Sequence, residues 1–175
     1  MSLSGVLLLL PFLLLRFGLL GRLGGDGLGR AAHIPPMGGG ERLACWVYQL
    51  SSAGVLVCLC FQRAAVDGAW PFWTGLVLYL LGLALCAGAV VSFGRPSPGP
   101  FREDGLYRFS RNPMYVSYFV YFAGCVLLTR SWLLAILVLL FQLSEHWIIL
   151  AEERWCGEQF GAPYEAYRKR VRRYL

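Results

Sequence analysis

The sequence predicts an all-α integral membrane protein of about five transmembrane helices, the last two a tight helical hairpin, followed by a C-terminal amphipathic helix on the cytoplasmic face. Three observations predict it. Apolar residues make up 57% of the 175 residues, and a mean hydropathy of +0.55 lies above what a soluble domain of this size needs. Charge-free runs recur at residues 43–61, 70–94 and 112–129, each near the roughly 20 residues that cross about 30 Å of hydrocarbon as helix. The basic residues fall unevenly between the two sets of connections, as in a chain oriented by its cytoplasmic Lys and Arg.

The first segment, 2–20, is interrupted only by Arg16, close enough to its end for the side-chain stem to snorkel. A cleaved signal peptide would need a basic start and a small-residue cleavage site. "MSLSG" has no Lys or Arg and "GLLGRLGG" is a poor match, so 2–20 is read as a span. The linker "GRLGGDGLGRAAHIPPMGGGER" has no helical periodicity and reads as a loop, with His33 a solvated loop residue. Spans two and three, 43–61 and 70–94, are uninterrupted. Next comes "GRPSPGPFREDGLYRFSR", where three prolines end the third span and hold the chain extended before "DGLYR" turns it back. Span four, 112–129, opens at Pro113, a residue suited to a first helical turn because its missing N–H has no partner there. Only Thr129, Arg130 and Ser131 separate it from span five, 131–151, so the two form a helical hairpin. That hairpin brings Arg111 and Asn112 beside Glu152 and Glu153. In the tail, Phe160, Tyr164, Tyr167 and Val171 recur at helical spacing among basic residues, an amphipathic helix that serves as membrane anchor or as lid.

With five spans, the loops 21–42 and 95–111 and the tail after Ala151 share one face and hold thirteen of the sixteen basic residues; Arg63 and Arg130 lie on the other. The C-terminus is therefore expected in the cytoplasm, in a bacterial inner membrane or an endoplasmic reticulum. The net charge of +6 belongs to an anionic lipid surface, and no pattern for binding nucleic acid is present. Six cysteines, five of them inside apolar runs and none in a Cys-x-x-Cys pair, read as small buried hydrophobes; neither a metal site nor a disulfide framework is expected.

Charge inside a span costs a few kcal/mol on insertion scales, so it faces the bundle interior or a wet cavity. Span five carries Glu145 and His146, then Glu152 and Glu153. Seven residues return to within about 20° of the same direction on a helix, which stacks Glu145 over Glu152 and His146 over Glu153. Salt bridges of Glu152 and Glu153 to Arg111 or Arg154 are the competing structural reading. With Arg111 and Asn112 opposite, the stripe describes a cytoplasm-facing pocket for a ligand of mixed charge.

"GLYRFSRNPMYVSYF", followed one hairpin later by "HWIILAEERWCGEQFGAPYEAYRKRVRRYL", resembles the C-terminal half of the integral membrane methyltransferases, which include isoprenylcysteine carboxyl methyltransferase and phospholipid N-methyltransferases. The shared pattern is an Arg-His/Asn-Pro-Met-Tyr entry (Arg111 to Tyr115), a hairpin, a Glu-Glu pair (Glu152, Glu153), and Phe-Gly-x-x-Tyr-x-x-Tyr (Phe160 to Tyr167) with a basic end. The chain is then one membrane domain, 1–175, in which 1–100 supplies spans one to three with their loops and 101–175 the cofactor-binding region. The resemblance implies S-adenosylmethionine as methyl donor, held without a Rossmann fold. It implies Arg111, Asn112, Pro113 and Tyr115 as pocket-lining residues, Glu152 or Glu153 as partners of the ribose or amino end, and Tyr164 and Tyr167 as the closure. Asn112 stands where better-known members have histidine, so no imidazole titrates at that position.

Methyl transfer from a sulfonium is an in-line displacement that rests on alignment and electrostatics and requires no metal. A carboxylate or thiolate acceptor needs no base; a protonated amine does, and Glu145 and His146 are the candidate catalytic residues, with cofactor binding as a second role for His146. The expected partners are the bilayer and a lipophilic or small acceptor. Two other classes fit the same pattern less closely: a nicotinamide-dependent membrane reductase of the sterol reductase type, and a non-enzymatic membrane scaffold.

Overall fold

A computed structural model describes residues 2–23, 35–95 and 99–175. His33, Arg30, Pro96 and Pro98, which figure in the loop assignments above, lie outside the described residues. The chain is an all-α membrane protein. Among the described residues, four helices are long and apolar enough to cross a membrane: α1 (Gly5–Leu23), α2 (Gly40–Phe61), α3 (Trp70–Gly94) and α5 (Trp132–Phe160). Between the last two lies α4 (Pro113–Thr129), an apolar helix of 17 residues, and α6 (Ala162–Arg170) follows α5.

Each helix starts and stops for a local reason. Pro71 and Pro113 sit in the first turns of α3 and α4. Ser131 caps α5 by accepting from the Leu134 N–H at 3.3 Å, and Arg130 in the left-handed region (φ 50°) makes the corner between α4 and α5. Gly161, at φ 57°, ends α5 and separates it from α6, so the expected continuous tail helix is a break followed by nine residues of helix. Pro11 sits inside α1, and residues Leu14–Leu19 wind as π-helix.

The hairpin expected from the short link is present, but its arms are not each other's main neighbours. α4 packs most extensively on α3, and α5 on α2. Small residues explain the first pairing. A Cβ added at Gly82 would collide with the Tyr121 backbone and one at Gly124 with the Tyr79 backbone, while one at Gly75 would come within 3.0 Å of Leu127 Cβ. Backbones this close gain dispersion contact where lipid offers helices no hydrophobic drive. α1 is tied to the same pair: the Tyr79 and Tyr121 hydroxyls both donate to the Leu8 carbonyl, at 3.1 and 2.9 Å, and Phe12 stacks on Tyr121 with centroids 4.7 Å apart.

Contacts sort the helix ends into two sets. At one end, Ser2–Ser4 pairs antiparallel with Arg63–Ala65, a short ribbon the all-α expectation did not contain, and Arg130 meets Asp67 at 2.8 Å. At the other, Leu23 packs on Gly94, Arg154 of α5 pairs with Glu41 of α2 at 2.7 Å, and the C-terminal tail covers Arg111. Five helices alternating between two such ends match a multi-pass membrane chain.

Candidate functional site

The site follows from a difference in helix length. The 29 residues of α5 span about 44 Å at 1.5 Å per residue, well beyond about 30 Å of hydrocarbon, whereas the 17 of α4 span about 26 Å. The last turns of α5, from Glu152 on, therefore overhang the start of α4. The loop 99–111 and α6 fold against this overhang and enclose a cavity of about 720 Å³, a volume typical of small-molecule sites, about 300–1,000 Å³. Its wall brings together the α4 entry (Arg111, Asn112, Met114, Tyr115, Tyr118), Glu152, Glu153, Trp155 and Cys156 of α5, Tyr164 and Tyr167 of α6, Phe101, Arg102 and Tyr107 of the loop, and Arg16 and Tyr48.

The two adjacent carboxylates have different partners. Glu152 accepts a hydrogen bond from the Tyr115 hydroxyl at 2.8 Å. Glu153 is 5% exposed and takes three guanidinium contacts: from Arg173 Nε at 3.0 Å and Nη2 at 2.9 Å, and from Arg111 Nη2 at 3.2 Å. The Glu153 hydrogen bonds hold the Arg173 guanidinium above the usual arginine range. Of the salt bridges weighed from sequence, Arg111–Glu153 is therefore present, and Arg154 pairs with Glu41 instead.

The C-terminal tail is stitched to the α4 entry through backbone. The Arg111 N–H donates to the Arg172 carbonyl at 2.9 Å, Asn112 Nδ2 to the Arg173 carbonyl at 3.1 Å, and Ser110 Oγ to that same oxygen at 3.3 Å. These bonds hold the tail that follows α6 against the α4 entry, while α6 itself lines the cavity with Tyr164 and Tyr167. Its apolar side, Tyr164, Tyr167 and Val171, is buried against Phe101, Cys156 and Phe160, with the rings of Tyr164 and Tyr167 5.4 and 5.5 Å from Phe101. Of the two readings of the tail helix, anchor or lid, its apolar face is turned to protein. The Tyr167 hydroxyl donates to the Tyr107 carbonyl at 2.8 Å and locks the helix to the loop.

Tyr107 registers the field of the cavity. Burial pushes its hydroxyl above the usual tyrosine range, the Glu152 carboxylate adds to that, and the Arg102 and Arg16 guanidiniums oppose it. Negative and positive walls thus face one space. Arg16, expected to snorkel out of the first span, lines this cavity with its guanidinium 5.9 Å from the Tyr118 ring centroid.

All eight residues expected at the cofactor gather at this end of the bundle: Arg111, Asn112, Tyr115, Glu152, Glu153, Tyr164 and Tyr167 line the cavity, and Pro113 opens the helix beneath it. Glu145 and His146 do not reach its wall. Glu145, 2% exposed, accepts from Gln142 Nε2 at 3.4 Å, and His146 Nδ1 meets the Tyr174 hydroxyl at 2.7 Å. They stack one heptad before Glu152 and Glu153, about 10 Å deeper along α5, and are not among the residues that line the cavity. Sequence reasoning did not single out Arg102, Tyr107, Phe101 or Arg173, which lie in segments without periodicity. Among the described residues no group of three or more His, Cys, Asp or Glu gathers as a metal site would require.

Residues 70–163, more than half of the 175, match the family model described as phospholipid methyltransferase. No curated protein and no solved structure matches the chain.

Proposed function

The chain belongs to the phospholipid methyltransferase family, and from that premise we propose that it transfers a methyl group from S-adenosylmethionine to a lipophilic or small acceptor at the cytoplasmic face of its membrane. The observation that carries this reading is the cavity at the α4–α5 overhang, where a carboxylate, Glu152, and a set of aromatic rings surround a volume of cofactor size. A sulfonium compound with an amino-acid end and an adenine ring presents cations and a flat π surface, and these residue types fit both. Among the described residues, the loops and tail at the cavity end carry twelve Lys and Arg against Arg63 and Arg130 at the other, which supports its assignment to the cytoplasm.

When bound, S-adenosylmethionine supplies an electrophilic methyl group. The residues of the chain orient and shield. Glu152, fixed by the Tyr115 hydroxyl, offers its carboxylate to a cationic group. Tyr164 and Tyr167, which line the cavity and are held by Phe101 and the Tyr107 carbonyl, exclude water, which strengthens the electrostatics inside. The acceptor meets the donor at the inner wall of the cavity, which Met114 and Tyr118 line. For an amine acceptor, Glu152 Oε2 takes the proton, since Oε1 already accepts from Tyr115. The base role thus moves from Glu145 and His146 to Glu152, the carboxylate on the cavity wall.

Titrating purified protein in detergent with labelled S-adenosylmethionine, and separately with NADPH, tests the reading. Binding of the methyl donor is expected; binding of NADPH alone overturns it in favour of a reductase. Lipid extracts from cells with and without the gene, compared for a mass difference of one CH2, then identify the acceptor.

A further inference from the structure

We propose that Arg102 is the anion-recognition residue of this cavity: its guanidinium binds an oxyanion, carboxylate or phosphate, carried by a molecule that occupies the space. The proposal deepens the methyl-transfer reading and rests on it for the identity of that molecule.

Arg102 is 9% exposed and lines the cavity. Its Nε, Nη1 and Nη2 have no hydrogen-bond partner among the described residues, and the acid it comes nearest, Asp104 Oδ1, lies 3.8 Å away, beyond hydrogen-bond reach. Asp104 Oδ1 is likewise buried without a hydrogen bond, so this long ion pair leaves both groups open to a bridging ligand, and two other neighbouring acids have other partners. Glu103, next in sequence, pairs with Arg170 at 2.7 Å, and Glu153 is taken by Arg111 and Arg173. A buried guanidinium with all its donors unspent is costly to the folded state, and such a group is retained where a ligand completes it.

Its position is also well fixed. Phe101 is clamped by the rings of Phe160, Tyr164 and Tyr167 at 5.4–5.5 Å, and the Gly105–Arg108 turn follows, so the backbone on both sides of Arg102 is held. A planar fork of donors held in this way suits a two-oxygen anion. With Glu152 on another part of the same wall, and Arg16 also lining the space, the cavity offers charge of both signs. Arg111, expected from sequence opposite the carboxylates in a pocket for a ligand of mixed charge, spends its guanidinium on Glu153, whereas Arg102 has no such hydrogen-bonded partner.

Two molecules in the proposed reaction carry such an oxyanion: the donor, with its amino-acid carboxylate, and a phospholipid acceptor, with its phosphate. The test uses purified full-length protein in detergent. The melting temperature is followed against inorganic phosphate at constant ionic strength for the wild type, Arg102→Lys and Arg102→Gln. A saturable rise in the wild type that Arg102→Gln lacks is expected, since the general salt effect is common to all three. Isothermal titration then compares S-adenosylhomocysteine with its decarboxylated analogue, and a short-chain phosphatidylethanolamine with a phosphate-free amine of equal chain length. Loss of the oxyanion is expected to weaken one of the two pairs by about 10- to 100-fold, as for a charged hydrogen-bonded contact. A loss in the first pair that shrinks in Arg102→Lys and Arg102→Gln assigns Arg102 to the donor, and such a loss in the second assigns it to the acceptor; a loss of equal size in wild type and variants overturns the proposal. No saturable phosphate effect, together with unchanged affinities in both wild-type pairs, overturns the proposal, and these arms stand even where Arg102→Gln does not fold. Absence of S-adenosylhomocysteine binding to the wild type would instead count against the methyl-transfer reading, while the phosphate arm still reports on Arg102.

Discussion

Replacing Glu153 by Gln should release the C-terminal tail before it disturbs the helix bundle. Glu153 joins Arg173 of the tail and Arg111 of the α4 entry, and the side chains of Arg111 and Glu153 are 8% and 6% exposed. Removing one partner of a buried pair leaves the other charge uncompensated, a loss of about 3–5 kcal/mol in fully buried cases. The Arg173 half is a third exposed and is discounted for solvent screening, which brings the expected loss to about 2–4 kcal/mol. The neutral amide keeps one contact at most. Since the tail is bonded to the bundle through the Arg111 N–H and the Asn112 and Ser110 side chains, the loss should appear as local opening. Hydrogen exchange reads it directly: the amides of Arg111 and Val171, which donate to Arg172 and Tyr167, should exchange about 30- to 1,000-fold faster, while amides in the middle of α3 keep their protection. Unchanged protection at Arg111 and Val171, or equal acceleration in α3, would refute the claim that Glu153 is the anchor of the lid.

Gly82→Ala should lower the melting temperature, because the added Cβ meets the Tyr121 backbone and overpacking of this kind costs about 1–3 kcal/mol; Gly18→Ala, with open space around it, should not, and equal melting curves for the two would contradict the close α3–α4 contact. Tyr115→Phe deletes the hydrogen bond to Glu152 and should weaken S-adenosylmethionine binding about 10-fold, as for a hydrogen bond to a charged group, measured by titration calorimetry, with wild-type affinity as the refuting result. The Asp67 carboxyl is held below its usual range first by the Ala69 N–H and then by Arg130. Because the folded-state value is depressed, this stabilisation is present above the ordinary carboxylate pKa and is lost as pH falls through the depressed one. The gap in melting temperature between wild type and Asp67→Asn should therefore close on acidification from neutral pH, and a gap that widens would reverse the sign.

The parts of this architecture that were legible in the sequence are those written in hydropathy and in fixed local chemistry. Residues 70–94 form a helix over the expected bounds because 25 residues without charge have no other stable state in lipid. Pro113 starts its helix and the link at Arg130 makes a corner because both depend on one or two backbone angles. Glu152 and Glu153 were expected at the α4 entry from the hairpin alone, and they are there. Their division of labour was not legible, since whether a carboxylate faces ligand or arginine depends on Arg173, twenty residues further along a tail whose path no periodicity encodes. The heptad stacking of Glu145 and His146 is correct geometry for a helix but gives direction only; their partners, Gln142 on the same helix and Tyr174 in the tail, are not legible from that spacing. The extra turns of α5 were missed because polar residues after Ala151 read as surface, although Gly161 marks the actual stop. The ribbon of residues 2–4 and 63–65 is too short to show a period of two.

Photo-crosslinking of labelled S-adenosylmethionine to the purified protein, with the labelled peptides mapped by mass spectrometry, tests the central claim most directly. The account predicts label within residues 101–118 and 152–167, the two stretches that line the cavity, competed away by S-adenosylhomocysteine. Specific label in the loop 62–69 at the opposite end of the bundle, or none at all, would contradict it.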